Sequence, residues 1–207
     1  VYETFNAGPR GERGARNDRR INMQDNIFEI PSTTTKIECY VLFELASKLL
    51  PGSTLVEIGT GAGRVTAVLA DAIAGKGSVL HTIDNYSQHE KYDIYGPWTA
   101  DNAKKWMQKL NVGGHVRHIE GDSAEIAKTF TAPVDFIYFD GGHRYKEVCA
   151  DIAAWLPRVK YGGIIAGHDF DFNCDDGRNV IKAVFDKLMK NPDKAMTVRE
   201  RVWWLEK

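Results

Sequence analysis

The chain has 207 residues, 43% of them hydrophobic, and a formal net charge of −1 at pH 7. That length holds one α/β domain with a well-buried core. The near-neutral charge argues against a general binder of nucleic acid or membrane surfaces, and no apolar stretch approaches the ~18 residues of a membrane span.

Residues 1–30 read as a basic, flexible arm, with five arginines among the first 20 positions and few apolar anchors. Three successive G-x-Arg triplets (Gly8-Pro-Arg10, Gly11-Glu-Arg13, Gly14-Ala-Arg16) are too few for a collagen helix. The alternative is an arm that closes over an anionic substrate or a neighbouring subunit. The folded domain is expected over 31–207. Ser32 is a plausible N-cap for a helix whose apolar positions run from Cys39 to Leu50, and Pro51-Gly52 stops it.

Strands are then expected at 54–59, 78–84, 115–120, 134–140 and 162–168, and helices at 63–74, 99–110, 123–129, 145–157 and 177–190. Strands alternating with helices imply a parallel sheet covered on both faces. The tail from Met196 to Leu205, rich in Val and Trp, suits a final antiparallel pair. Trp203 and Trp204 read as packing residues, with a dimer face as the alternative. The three cysteines, Cys39, Cys149 and Cys174, form no C-x-x-C. They fit buried thiols in a reducing, cytoplasmic setting, and no signal-peptide pattern is evident.

Chemistry concentrates at the ends of the expected strands, where open α/β sheets bind ligands. The first strand runs into Gly59-Thr60-Gly61-Ala62-Gly63, a turn whose glycines let backbone approach a cofactor closely. The spacing is G-x-G-x-G behind the acidic Glu57. Arg64 stands where a dinucleotide fingerprint has its third glycine. Asp84, ending the second strand, can accept hydrogen bonds from ribose hydroxyls, a feature shared with NAD enzymes. Asp122 and Ser123 follow the third strand, where either can also cap the next helix. Trp98 either flanks a ligand or packs on the helix that follows it.

The fourth strand ends in Asp140, and His143 follows on a Gly141-Gly142 turn. An imidazole with an ordinary pKa of about 6.5 suits a general base there. The fifth strand ends in His168-Asp169. If these strands are neighbours, about 4.8 Å apart, Asp140 and Asp169 converge. Two such carboxylates invite Mg²⁺, for which His168 is a poor ligand. The alternative is that Asp169 caps a turn and no metal binds.

The G-x-G-x-G turn resembles motif I of the class I methyltransferases that use S-adenosylmethionine. The run from Asp140-Gly-Gly-His143 through Trp155-Leu-Pro157 and Gly162-Gly163 to Gly167-His-Asp169 resembles one branch of them, the bacterial small-molecule and sugar-modifying methyltransferases related to the macrolide O-methyltransferases. The resemblance covers roughly residues 30–207 and is strongest from 54 to 170. It implies a Rossmann-like class I methyltransferase fold with a seven-stranded, mostly parallel sheet and helices on both faces. It also implies that Glu57, Gly59, Thr60, Gly61, Gly63, Asp84, Asp122, Ser123 and Asp140 bind S-adenosylmethionine, Asp122 and the Ser123 backbone meeting the adenine. His143, with Asp140, would be catalytic. The metal set would be Asp140, Asp169 and His168, although the metal-dependent relatives carry an acid where this chain has His168.

The expected function is methyl transfer from S-adenosylmethionine to a hydroxyl of a small molecule (a sugar, a phenol or another natural-product acceptor), with or without Mg²⁺. An NAD-dependent oxidoreductase and a non-catalytic binding module are the alternatives. No nucleic-acid or membrane partner is expected, and a homo-oligomer stays open. Acceptor specificity is expected in the 86–99 loop, the 170–176 loop and the arm.

Overall fold

The computed structural model describes residues 23–87, 98–190 and 195–207. Strands β1 (Thr54–Ile58) and β4 (Val134–Phe139) bury nearly every side chain, as strands covered on both faces do. With β2 (Val79–Asp84), β3 (Val116–Glu120), β5 (Val159–Gly167), β6 (Thr197–Arg199) and β7 (Val202–Glu206) they form one seven-stranded sheet of order β3-β2-β1-β4-β5-β7-β6. The first five strands run parallel, and β7 inserts antiparallel between β5 and β6. Strand order reverses between β1 and β4, which opens a crevice above their carboxyl ends.

Helices α1 (Lys36–Ser47), α2 (Arg64–Ala72) and α3 (Ala100–Lys109) pack on one face. Helices α4 (Ser123–Thr129), α5 (Tyr145–Trp155) and α6 (Asp175–Leu188) pack on the other. Trp203 of β7 is fully buried, and Trp204 packs against the opposite cluster. The tryptophan pair is therefore core, and burying one such ring contributes roughly 1.5–3 kcal/mol. No helix among the described residues is long and apolar enough to cross a membrane.

Several boundaries differ from the sequence reading, each for a local reason. Met23, Ile27 and Ile30 are buried in the core, so residues 23–30 belong to the folded unit and not to the arm. Arg64 fastens them: its guanidinium donates to the carbonyls of Ile30 at 2.7 Å and Thr34 at 2.8 Å. The N-cap of α1 is Thr35, not Ser32. Thr35 Oγ1 accepts from the Glu38 amide at 3.3 Å and Glu38 Oε2 from the Thr35 amide at 2.6 Å, a capping box. Strand β5 starts at Val159, three residues before the expected 162, because a bulge absorbs the Tyr161–Gly163 stretch between the Val134–Val159 and Phe136–Ile164 pairs. Helix α5 stops at Trp155, ahead of a 3₁₀ turn containing Pro157. Helix α6 begins at Asp175 because exposed Cys174 caps it, Sγ accepting from the Gly177 amide. Only Cys39 is a fully buried thiol. Residues 1–22 of the expected arm and 88–97 of the expected specificity loop lie outside the described residues.

Candidate active site

The glycine turn leaves β1 at the reversal of strand order. Gly59 has φ +94°, and a Cβ there would stand 2.5 Å from the Asp140 carbonyl carbon, closer still to its oxygen. Only glycine permits that approach. The Asp140 amide donates to Ile58 O at 2.8 Å, so the turn and the end of β4 are locked side by side. Gly61 lies under the Trp98 ring and Gly63 against Ala103 of α3. Trp98 therefore packs on the glycine turn itself.

Asp84 organises the rim next to β2. Its carboxylate accepts from the Gly61 amide at 2.9 Å and the Tyr86 amide at 2.7 Å. Thr60 meets Thr82 hydroxyl to hydroxyl at 2.5 Å. Glu57 is fully buried behind the turn, with Oε2 accepting from Thr66 of α2 at 2.6 Å. Burial, opposed by its threonine hydrogen bonds, pushes its carboxyl up to about 8. Asp122 caps α4, accepting from the Glu125 amide at 3.0 Å. The Ser123 hydroxyl donates to Asp151 of α5, so that side chain turns into the protein. Its backbone N–H remains in the first turn of α4, where amides lack intrahelical partners. Burial pushes Asp151 up to about 6.

The second half of the site is an ion network at the ends of β4 and β5. These strands are neighbours, Phe139 opposite Gly167, which brings Asp140, His143, His168 and Asp169 together as expected. His143 Nε2 lies 2.9 Å from Asp169 Oδ2, and its Nδ1 lies 4.0 Å from Asp176 of α6. Asp169 has φ +55°, a left-handed conformation that Asp tolerates better than most residues and that recurs at functional sites. His168 is 3% exposed. Its Nδ1 lies 3.5 Å from Asp140 Oδ1 and 3.4 Å from Asp169 Oδ1, and its Nε2 lies 3.3 Å from Glu38 Oε1. Arg201, on the β6–β7 turn, donates from Nε to Glu38 Oε1 at 3.0 Å and stands 3.8 Å from Asp169 Oδ1.

These contacts decide the protonation states. Burial disfavours charge on both imidazoles, but the surrounding carboxylates outweigh it, Asp169 most for His143 and Asp140 first for His168. Both pKa values rise, that of His168 well above its ordinary value. Burial would raise Asp169 and Glu38. The hydrogen bonds from His143 and His168 hold Asp169 far below the usual carboxylate range, and His168, the Thr35 amide and Arg201 do the same for Glu38. Burial raises Asp140 despite His168.

Asp140, His143 and Asp169 offer ligand atoms that all lie within 4.8 Å of one another, a spacing that suits a cation. The donor chemistry does not fit Mg²⁺, which demands near-octahedral oxygen ligands. Asp169 Oδ2 is already bonded to His143, and its Oδ1 faces His168 and Arg201. His168, expected as a third contact to the metal, instead has its Nδ1 between the two acids, 3.5 Å from Asp140 and 3.4 Å from Asp169. Glu38, Arg201 and Asp176 were not anticipated. A Thr-x-x-Glu capping box at 35–38 is legible in the sequence, but its second use by His168 is not.

A family model described as "Methyltransferase domain" matches residues 56–170. A probable cobalt-precorrin-6B C(15)-methyltransferase (decarboxylating) of Pyrobaculum aerophilum is 32% identical over 113 residues, 55% of this chain. The chain's match spans about half the length of that relative, 50%. Among solved structures, the O-methyltransferase from Bacillus cereus in complex with SAH aligns with a TM-score of 0.68 at 18% identity, covering 92% of this chain and 94% of that one. The SAH-bound methyltransferase PaMTH1 of Podospora anserina aligns at 0.65 with 16% identity, covering 84% and 79%. At these identities the structural likeness concerns the fold.

Proposed function

Because the chain belongs to the methyltransferase-domain family, we propose that it transfers a methyl group from S-adenosylmethionine to a hydroxyl of a small molecule, a sugar, a phenol or another natural-product acceptor. The observation that carries this reading is the His143–Asp169 ion pair at 2.9 Å, at a rim tied to the glycine turn through Gly59 and Asp140. The near-neutral net charge supports a small acceptor over nucleic acid.

S-adenosylmethionine supplies an electrophilic methyl carbon when bound. The chain's own residues bind it and prepare the acceptor. Gly59, Gly61 and Gly63 let the turn close against Asp140, Trp98 and Ala103, which shapes the backbone edge that faces the cofactor. Asp84, fixed by two amides, turns its remaining lone pairs to the ribose hydroxyls. Asp122 and the Ser123 N–H meet the adenine edge. Thr60 and Glu57 brace the turn from below, through Thr82 and Thr66, and Asp140 closes the crevice beside Gly59. The Asp169 carboxylate only accepts, so His143 keeps its proton on Nε2 and offers the Nδ1 lone pair to the acceptor hydroxyl. Proton uptake at Nδ1 is favoured by Asp169 on one side and Asp176 at 4.0 Å on the other. The presence of such a base supports a hydroxyl acceptor in preference to carbon.

Isothermal titration with S-adenosylmethionine and with NAD tests the cofactor. Binding of NAD alone would overturn the reading. A metabolite screen with methyl-labelled S-adenosylmethionine identifies the acceptor.

A further inference from the structure

Asp140 and Asp169 form the kind of carboxylate pair that gathers a hard divalent cation. In this chain the space between them is taken. The His168 ring stands with Nδ1 3.5 Å from Asp140 and 3.4 Å from Asp169, while its opposite edge faces Glu38 at 3.3 Å. Carboxylates only accept hydrogen bonds. A ring flanked by them on both edges presents protons, not lone pairs, and has no electron pair for a metal. The ring cannot easily swing aside. It is 3% exposed, and its backbone amide is bonded to Phe139 O at 3.0 Å within the β4–β5 ladder. Behind it stands Arg201, whose guanidinium does not deprotonate in proteins. It lies 3.0 Å from Glu38 and 3.8 Å from Asp169. A dication placed on Asp140, His143 and Asp169 would have to break the 2.9 Å His143–Asp169 bond and sit against both positive groups.

We propose that His168 and Arg201 are resident cations that fill the place of a divalent ion, hold Asp140 and Asp169 in position, and let the site work without bound metal. The charge count is consistent with this role. Glu38, Asp140, Asp169 and Asp176 against His168 and Arg201 leave two negative charges, one of which a proton arriving on His143 cancels. His168 and Arg201 are thus positioning residues. Only their role toward the reaction rests on the methyl-transfer reading; the absence of a metal site stands apart from it.

Titration of Mn²⁺ into the full chain, followed by loss of the free-ion electron paramagnetic resonance signal, tests the proposal without cofactor or acceptor. The wild type is expected to show no saturable binding below millimolar Mn²⁺. His168→Asp replaces the cation with a third carboxylate and should bind Mn²⁺ at least tenfold more tightly, with Mg²⁺ competing. If that variant does not fold, His168→Gln serves: it leaves the two acids without their bridging cation and should also bind Mn²⁺ more tightly than the wild type. Submillimolar wild-type binding that Asp169→Asn abolishes would overturn the proposal, as would a folded His168 variant with no gain. A wild type that binds neither Mn²⁺ nor S-adenosylmethionine would refute methyl transfer and leave the resident cations standing.

Discussion

Replacing Gly59 with alanine tests the contact that joins the two halves of the site. The added Cβ would stand 2.5 Å from the Asp140 carbonyl carbon and 2.9 Å from the Gly141 nitrogen. Both are backbone atoms, so no side chain can rotate away. The conformation at φ +94° costs an L-residue about 1–2 kcal/mol, and overpacking a rigid contact adds about 1–3 kcal/mol. The expected loss is roughly 2–5 kcal/mol, or about 4–20 °C in Tm at about 2–4 °C per kcal/mol for a chain of this size. Gly75 is the control. It has φ +74° with nothing within 4 Å of an added Cβ, so Gly75→Ala should lose only the conformational part, about 1–2 kcal/mol. Urea and thermal denaturation of both variants measure the difference. Equal losses would mean that the Asp140 carbonyl does not press on the turn, and the coupling between cofactor crevice and acceptor rim would fall with it.

Other expectations concern the chemistry. His143→Ala should lower turnover by about 10²–10⁴-fold with little change in S-adenosylmethionine affinity by calorimetry; unchanged turnover removes His143 from the reaction. Since Asp169 raises the His143 pKa above its ordinary 6.5, kcat/KM should climb with pH through a midpoint above that value, and Asp169→Asn should move the midpoint down. A wild-type midpoint below 6.5 contradicts the pairing. Asp84→Ala removes the acceptor for two amides of the rim and should weaken S-adenosylmethionine binding; equal affinities would refute its ribose role. Glu38 titrates well below its ordinary 4.5 in the folded protein. Its stabilisation is therefore fully present above pH ~4.5 and is lost as pH falls below it. Glu38→Gln should cost roughly 3–5 kcal/mol at neutral pH, as breaking a buried ion pair does, and flatten the acid side of the stability curve. An unchanged acid limb in the variant would contradict the network.

The parts legible in sequence were those written in local pattern. Five parallel strands, the glycine turn and the strand-end residues Asp84, Asp140, His143 and Asp169 follow from period, turn chemistry and the rule that ligands meet strand carboxyl ends. What escaped depends on distance. The local pattern starts that strand at Gly162, and only the pairing of Val159 with β4 makes Tyr161–Gly163 a bulge inside a longer one. The Thr35 cap, by contrast, is local: Glu38, three residues on, completes a box that Ser32 cannot make. Arg201 sits in a Glu-Arg turn with no local mark of importance, and its meaning comes from a carboxylate 163 residues away. The role of His168 was obscured in the same way. Its position beside Asp169 suggests a ligand, but the third carboxylate that makes it a donor lies on α1.

That span between Arg201 and Glu38 bears on how the protein is made. A nascent chain emerging from the ribosome has α1 and the glycine crossover early, whereas Arg201 and strand β7, which covers the outer edge of β5, come late. Contacts so distant in sequence are slow to form. The histidine between the acids therefore acquires its full set of neighbours only when the sheet closes. Copies in which β7 is frayed from β5 should lose the Arg201 contacts to Glu38 and Asp169.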